Sequence, residues 1–326
     1  MRLVRDQEVV GSNPIFPTIF ILFEQENLFL FQTKTGILNR RMEESVKRSP
    51  FEKRIHEIDF LRGLLMVLVV LDHVFNLLMS FNKVWAGGSE AILAGEGVQP
   101  FVTIYKVAAF YWTNPARYVV RWLCLATFCF VSGISCAFSR NNWKRAGQMI
   151  GLWFFILVFS NIGQSLITHY NLDLGIATAR VDFNIIGVLA WSTLAYCFVQ
   201  DKSWKALLVV AIVGLAIHPI CVLLSWTEWG QSPDTYAIPL WKPTYTAEGY
   251  GPYRQADFMP LFPYISFFFG GAILSKFTYS VHKESYFKRH EWERPICFLG
   301  RHSLIVYISH FLILIGIFSL VGLFIK

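Results

Sequence analysis

The sequence predicts an all-α membrane protein, a bundle of about seven transmembrane helices. Of its 326 residues, 54% are hydrophobic and only 16% are charged, and the mean hydropathy is +0.44. A soluble protein of this length needs more polar surface. The net charge of +7 comes from basic residues in short connections between apolar runs. This pattern indicates membrane topology and argues against a nucleic-acid partner.

The apolar runs are each close to the ~20 residues that a helix needs to cross the hydrocarbon core. They are Ile58–Phe81, Tyr118–Phe138, Ala146–Thr168, Phe183–Val199, Trp204–Trp226, Phe258–Phe277 and His302–Ile325. Lys and Arg are concentrated in alternate connections, so the positive-inside rule predicts a cytoplasmic N-terminus and an external C-terminus. We expect a multi-pass protein of the plasma membrane. The aromatic string YKVAAFYW predicts a short interfacial helix in the outer connection Asn82–Arg117.

Residues 1–41 differ from the rest of the chain. Their apolar stretch Pro14–Phe31 is interrupted by Pro17 and by the polar run Glu24–Asn27, so it is too short and broken for a span. We interpret 1–41 as a non-native or disordered extension, with Met42 as the natural start. Residues 42–326 are then one transmembrane domain.

The six cysteines show neither the spacing of a metal site nor a disulfide framework. Nearly all lie inside apolar runs, where a thiol behaves as a small hydrophobic group. The sequence therefore predicts buried free cysteines and no metal site.

The first span carries a polar stripe, which a lipid-facing helix would not tolerate. Asp59, Arg62, His73 and Asn76 share one helical face, and Asp72 lies next to it. His73 is ~21 Å along the helix from Asp59, in the outer half of the membrane. An imidazole can act as a general base or acid near neutral pH, so Asp72 and His73 are candidate catalytic residues. The alternative is that His73 only bridges two helices.

The seventh span repeats this arrangement. Ser303, Tyr307 and His310 follow at i, i+4 and i+7 on one face. His310 lies ~13 Å past Arg301, near the level of His73, and is a second candidate catalytic residue. Polar side chains from several spans can complete a polar interior between the helices. The candidate substrate-binding residues are Asn76, Tyr307, Asn161 and Gln164.

Basic side chains at the cytoplasmic ends of the spans suit an anionic ligand. Arg62 lies at that edge one turn from Asp59, and Arg140 and Arg301 lie on the same side. Arginine suits phosphate and helix N-termini favour anions, so Ser303 beside Arg301 is a further candidate. The alternative is that these residues only anchor the topology.

Four strings resemble the heparan-α-glucosaminide N-acetyltransferase catalytic family. RIHEIDFLRGLLMVLVVLDHVFNLL resembles its opening span, in which short prokaryotic members carry E-I-D-x-x-R-G and then a D-H pair. FVSGISCAFSRNNWKRAG resembles the second span, and FFFGGAIL and GRHSLIVYISHFLI resemble the late spans. The likeness covers about Lys53–Ile325, and it makes 42–326 a transmembrane acyltransferase-like domain.

The resemblance implies that an acyl-CoA, with acetyl-CoA as the donor co-substrate, binds from the cytoplasm. Its acetyl group passes to an extracytoplasmic sugar, glycan or lipid-linked saccharide, with the help of a histidine. It assigns Arg62, Arg140 and Arg301 to the CoA side. The lysosomal enzyme of this family is expected to carry its histidine in the loop after the first span. The corresponding loop here contains no histidine, so the role falls to His73 or His310.

Two other classes of function stay open. Intramembrane Asp and His also build proton relays, so a small proton-coupled transporter or carrier is an alternative to the enzyme. A non-catalytic membrane scaffold is another. The sequence decides neither the acceptor nor whether the histidine is a base or a covalent acyl carrier, and it leaves a homodimer open.

Overall fold

The computed structural model describes residues 55–136, 138–139, 141–171, 180–225, 245–246, 249–250, 257–279, 285–287 and 290–325. The predicted extension 1–41 and the candidate Arg140 lie outside the described residues. Residues Ile55–Lys326 form one compact unit, which contains all of the helices and strands described here.

Helices make up most of the described chain. They are α1 His56–Trp85, α2 Gly88–Ala94, α3 Phe101–Thr113, α4 Pro115–Cys136, α5 Asn142–His169, α6 Ile185–Val199, α7 Trp204–Ser225, α8 Tyr264–Phe277, α9 Arg294–Arg301 and α10 Ser303–Ile325. A 3₁₀ turn at Glu291–Glu293 precedes α9, and two-residue strands, β1 Tyr245–Thr246 and β2 Gly249–Tyr250, pair antiparallel. The expected short helix in the first outer connection is present as α3.

The seven predicted spans correspond, in chain order, to α1, α4, α5, α6, α7, α8 and α10. Among the described residues, α1, α4, α5, α7 and α10 contain apolar stretches long enough to cross a membrane. The chain is therefore a multi-pass membrane protein. Helices α6 and α8 have only 15 and 14 residues, which is at most ~22 Å of helix. That these two helices cross the bilayer, and that the N-terminus is cytoplasmic, stay predictions.

The two short helices lie at the centre of the bundle. Phe268 and Phe269 on α8 are completely buried, as is Val188 on α6. In contrast, α5 exposes Phe155 and Phe159, as expected of a helix that faces lipid. Among the seven helices that correspond to predicted spans, α6 and α8 are therefore the ones that other protein segments cover most completely.

Helix α8 approaches α4 at glycine positions. A Cβ added to Gly133 on α4 would lie 1.9 Å from the carbonyl oxygen of Phe268. A Cβ added to Gly271 on α8 would lie 1.9 Å from the carbonyl oxygen of Phe130. Small residues allow this backbone-to-backbone contact, which stabilises helix pairs in membranes.

Helix α1 packs against α3, α9 and α10. Its Gly63 faces the backbone of Ile296 on α9, where an added Cβ would lie 1.8 Å from the carbonyl oxygen. Helix α9 ends at Arg301, and α10 begins at Ser303, so the chain changes direction at His302. This arrangement sets α10 beside the middle of α1. All six cysteines are free and buried, which confirms that part of the prediction for the cysteines, while the absence of a metal site stays a prediction.

Candidate functional site

Two histidines from different helices meet inside the bundle. The ring centroids of His73 on α1 and His310 on α10 are 4.8 Å apart, and the rings are nearly perpendicular at 84°. His310 is buried, with 8% of its surface exposed. The structure thus brings together two side chains that the sequence predicted at a similar depth in the helix bundle. Their catalytic role stays a prediction.

Both histidines are fixed through the same ring nitrogen. His73 Nδ1 lies 2.9 Å from the carbonyl oxygen of Val69, and His310 Nδ1 lies 2.7 Å from that of Tyr307. A carbonyl oxygen only accepts hydrogen bonds, so each Nδ1 carries the proton, and the neutral ring keeps a lone pair on Nε2. His310 Nε2 is buried without a hydrogen-bond partner among the described residues. Each ring is therefore in the tautomer that accepts a proton at Nε2.

Asp72 is bound from α3 and α4. Arg117 donates from Nε and Nη2 to the two carboxylate oxygens at 2.6 and 2.8 Å, and the Tyr111 hydroxyl donates at 3.1 Å. The guanidinium also lies 3.5 Å from the ring centroid of Trp112. A bidentate pair of this kind is strong and directional, and the aromatic face adds cation–π attraction. The intramembrane carboxylate is thus neutralised by a buried arginine.

Tyr111 belongs to α3, in the connection between the first two predicted spans. Burial, and then the neighbouring Asp72 carboxylate, raise the pKa of its phenol above the usual value. The phenol therefore stays protonated at neutral pH and remains a donor to Asp72. This bond attaches the connection between α1 and α4 to α1 beside His73.

A second polar chain runs through the same region. The Tyr307 hydroxyl donates to Asp257 Oδ2 at 2.6 Å, and Asn184 Nδ2 lies 3.4 Å from the Tyr307 oxygen. Arg121 Nη2 lies 3.6 Å from Asp257 Oδ1, which is longer than a hydrogen bond. The Arg121 and Asp257 side chains remain 37% and 26% exposed. This second ion pair is therefore looser and more accessible than the first.

The two polar groups line one cavity of about 70 Å³. A water molecule needs ~10–15 Å³, so the cavity has room for several waters, a small acyl group or part of a sugar ring. Two carboxylates and two guanidiniums balance its charge, and apolar side chains complete its wall. The polar lining residues are Asp72, His73, Tyr111, Arg117, Arg121, Asp257 and Tyr307.

Three predicted substrate-binding residues lie outside this lining. Asn76 accepts a bond from Ser80 within α1, and Asn161 binds Asp182 at 3.3 Å. Gln164 Nε2 lies 3.2 Å from the Thr168 hydroxyl at the exposed end of α5. Of the four candidates, only Tyr307 lines the cavity. A substrate role for the other three stays a prediction without support from their position.

Three of the candidate CoA-binding residues, Asp59, Arg62 and Arg301, lie near the start of α1 and do not line the cavity. Arg301 Nε lies 3.3 Å from Asp59 Oδ2, and Arg62 Nη2 donates to the Ser135 hydroxyl at 2.6 Å. Ser303 opens α10 two residues after Arg301. Arg62 follows Asp59 by one turn of α1, so both guanidiniums lie near the same end of this helix.

Residues 101–312 match the sequence model of the heparan-alpha-glucosaminide N-acetyltransferase catalytic family. The chain belongs to this family. The match runs from the start of α3 into α10 and begins after α1, so it is narrower than the resemblance noted from the sequence. His73 thus lies outside the matched region, whereas His310 lies inside it. No curated protein and no solved structure matches the chain.

Arg121 and Asp257 of this acetyltransferase-family protein were not predicted from the sequence, and Arg117 was named only as the end of the connection Asn82–Arg117. A signal was present: Arg117 and Arg121 are one helical turn apart at the start of an apolar helix. Arginines within a membrane helix need acidic partners. The structure supplies Asp72, a candidate catalytic residue, as one such partner and Asp257 as the other.

Proposed function

We propose that this family member transfers an acetyl group from cytoplasmic acetyl-CoA to a sugar or glycan on the other side of the membrane. Family membership supports an acetyltransferase in general. The observation that carries the proposal further is the contact between His73 and His310 at a polar cavity. Each ring is held through Nδ1 and keeps a lone pair on Nε2.

The donor would bind at the cluster of Arg62, Arg301 and Asp59. A guanidinium has five N–H donors, so Arg301 can bind a phosphate while it keeps its contact with Asp59. Arg62 and His73 are eleven residues apart on α1, or ~16 Å along the helix. The long, thin pantetheine arm of CoA would span this distance along α1. The phosphates would then stay at the cluster while the thioester enters the cavity.

His73 is the histidine that we assign to proton transfer, because it lines the cavity whereas His310 packs against it from α10. The acceptor oxygen or nitrogen attacks the thioester carbonyl carbon, and the carbon–sulfur bond breaks. His73 Nε2 takes the proton of the acceptor and passes it to the departing CoA thiolate. The bond from Nδ1 to the Val69 carbonyl stabilises the transient imidazolium. A covalent acyl-histidine would use the same Nε2 atom, and a burst of CoA release without acceptor would identify it.

The bonds to Asp72 make a proton-coupled carrier less favourable. A carboxylate in a proton relay must gain and lose a proton during each cycle. Asp72 instead accepts two charge-assisted bonds from Arg117 and one from Tyr111, so both of its oxygens are engaged in the wall of the cavity.

The proposal is tested with purified full-length protein in liposomes, given radiolabelled acetyl-CoA on one side and amino and hydroxyl sugars on the other. We expect CoA release coupled to acetylation of at least one sugar, and loss of both reactions in the Arg62→Ala and His73→Ala variants. The His218→Ala variant is the control, because His218 lies on α7 and does not line the cavity. Absence of CoA release with every sugar would refute the enzyme.

A further inference from the structure

We infer that Arg121 and Asp257 form the acceptor-binding subsite of the cavity, and that this subsite takes a neutral sugar ring through its free hydroxyl groups. The inference rests on the proposed function, because it identifies part of the acceptor. It assigns Arg121 and Asp257 to acceptor binding and predicts that the part of the ligand they bind is uncharged.

The two arginines of the cavity differ in how their donors are used. Arg117 gives Nε and Nη2 to Asp72, covers its guanidinium face with Trp112 and has a side chain only 5% exposed. Arg121, one turn further along α4, lies 3.6 Å from Asp257 and is 37% exposed. Arg117 is therefore part of the wall, whereas Arg121 still offers donors to a ligand.

Asp257 offers acceptors in the same way. Its Oδ2 accepts the Tyr307 hydroxyl at 2.6 Å, which orients the carboxylate. Its Oδ1 faces Arg121 across a gap too long for a direct hydrogen bond. A carboxylate has about four lone-pair directions, so most of its accepting capacity remains unused in the contacts of the described residues.

This combination selects for hydroxyl groups. A hydroxyl accepts a bond from a guanidinium and donates one to a carboxylate, so neighbouring hydroxyls of a sugar ring satisfy Arg121 and Asp257 together. An anionic ligand would be attracted by Arg121 but repelled by Asp257, and a cationic ligand would meet the reverse, so neither gains a net electrostatic attraction from the pair. The Arg121–Asp257 pair has no net charge, which favours a neutral polyhydroxyl ligand over an anionic or a cationic ligand.

The subsite lies beside the proposed base. Tyr307, which holds Asp257, precedes His310 by one turn of α10, and their ring centroids are 5.7 Å apart. His310 in turn contacts His73, and His73 lines the same cavity as Arg121 and Asp257. A ring held at Arg121 and Asp257 would therefore present one of its groups to His73.

Binding is tested on the purified full-length protein without any donor. The probes are the methyl glycosides of glucose, galactose and mannose, with methyl glucuronide and cyclohexanol for comparison, and the readout is the melting temperature against probe concentration. We expect at least one neutral glycoside to bind, and its affinity to fall at least tenfold in Arg121→Gln and Asp257→Asn. Asparagine is chosen because Asp257 has a φ of 50°, which Asn also tolerates. Lys106→Gln, a cation removed from the exposed face of α3, should bind as the parent does.

Binding that is equal in Arg121→Gln, Asp257→Asn and the parent would overturn the inference. Tighter binding of the glucuronide or of cyclohexanol than of every glycoside would also overturn it. Kinetics with an accepted sugar separate the inference from the proposed function. If CoA is released but Arg121→Gln leaves the acceptor KM unchanged, the subsite is wrong and the enzyme stands. If a glycoside binds through Arg121 and Asp257 but no CoA is released, the subsite stands and the proposed function fails.

Discussion

Arg117 on α4 donates two hydrogen bonds, of 2.6 and 2.8 Å, to Asp72 on α1. Asp72 is the residue directly before His73. Adjacent positions of a helix point ~100° apart, so Asp72 reaches α4 while His73 reaches α10. The ion pair and the histidine contact therefore fix the same turn of α1 from two sides.

The first prediction concerns the stability of the ion pair. Arg117→Met leaves Asp72 uncompensated in a low-dielectric wall, so we expect the free energy of unfolding to fall by about 3–5 kcal/mol. The measurement is denaturant-induced unfolding of the protein in micelles. The control is Arg180→Met, since the Arg180–Asp182 pair has a similar distance of 2.8 Å but is more exposed, at 30% and 23%. Exposed pairs are worth about 0–1 kcal/mol.

A double variant separates the contribution of the ion pair to stability from the contribution of side-chain packing. Asp72→Leu combined with Arg117→Met removes both charges, so it should recover most of the lost stability. Equal stability of Arg117→Met and Arg180→Met would contradict the structural role given to the buried pair.

The second prediction concerns Tyr111 and pH. Its folded pKa is raised, by burial and then by Asp72, above the ordinary value of about 10. The contribution of the Tyr111 bond is therefore fully present below about pH 10 and is lost as the pH rises through the raised value. We expect Tyr111→Phe to cost about 1 kcal/mol at neutral pH, with the difference shrinking at strongly alkaline pH. Thermal unfolding across the pH range measures it, and Tyr170→Phe, at an exposed tyrosine, should show neither effect.

The third prediction concerns the contact between α4 and α8. Gly133→Ala places a methyl group 1.9 Å from the Phe268 carbonyl oxygen, so the helices must separate. We expect a loss of about 1–3 kcal/mol in the free energy of unfolding. Gly151→Ala on α5 is the matched control, because nothing lies within 4 Å of its added Cβ. Alanine also favours helix more than glycine by about 1 kcal/mol, so this control should be neutral or stabilising. Similar losses in both variants would show that the tight contact has no special role.

The helices were predictable because apolar runs of membrane length are a strong signal, and each predicted span became one helix. The first residues of α4 show where the signal stops. The prediction began that span at Tyr118, whereas the helix begins at Pro115 and includes Arg117. Arginine lowers the mean hydropathy, so the predicted span began after Arg117, whereas the bonds to Asp72 on another helix stabilise Arg117 within α4.

The site was predictable only in part, for the same reason. Periodicity placed His73 and His310 on inward faces, but it carried no information on which residues meet across helices. The sequence suggested that Asp59 pairs with Arg62 one turn away, and the structure adds a pairing of Asp59 with Arg301 on α9. Close packing at Gly63 brings these two helices together, and no local spacing encodes that contact.

The fourth prediction concerns the donor end. Arg62→Gln should weaken acetyl-CoA binding about tenfold or more, because a charge-assisted hydrogen bond is worth about 1.5–3 kcal/mol. Equilibrium binding of acetyl-CoA at two salt concentrations measures this loss, and the parent should show the steeper salt dependence. Arg294→Gln is the control, since Arg294 is exposed and binds Glu291. Equal affinities of the two variants would remove Arg62 from the donor site.

The most direct test of the account is the rate of acetyl transfer by the His73→Gln variant at saturating acetyl-CoA and acceptor. If His73 takes the acceptor's proton, the rate falls about 10²–10⁴-fold while acetyl-CoA affinity stays as in the parent. A His73→Gln variant that folds, binds acetyl-CoA and transfers the acetyl group at the parental rate would contradict the account.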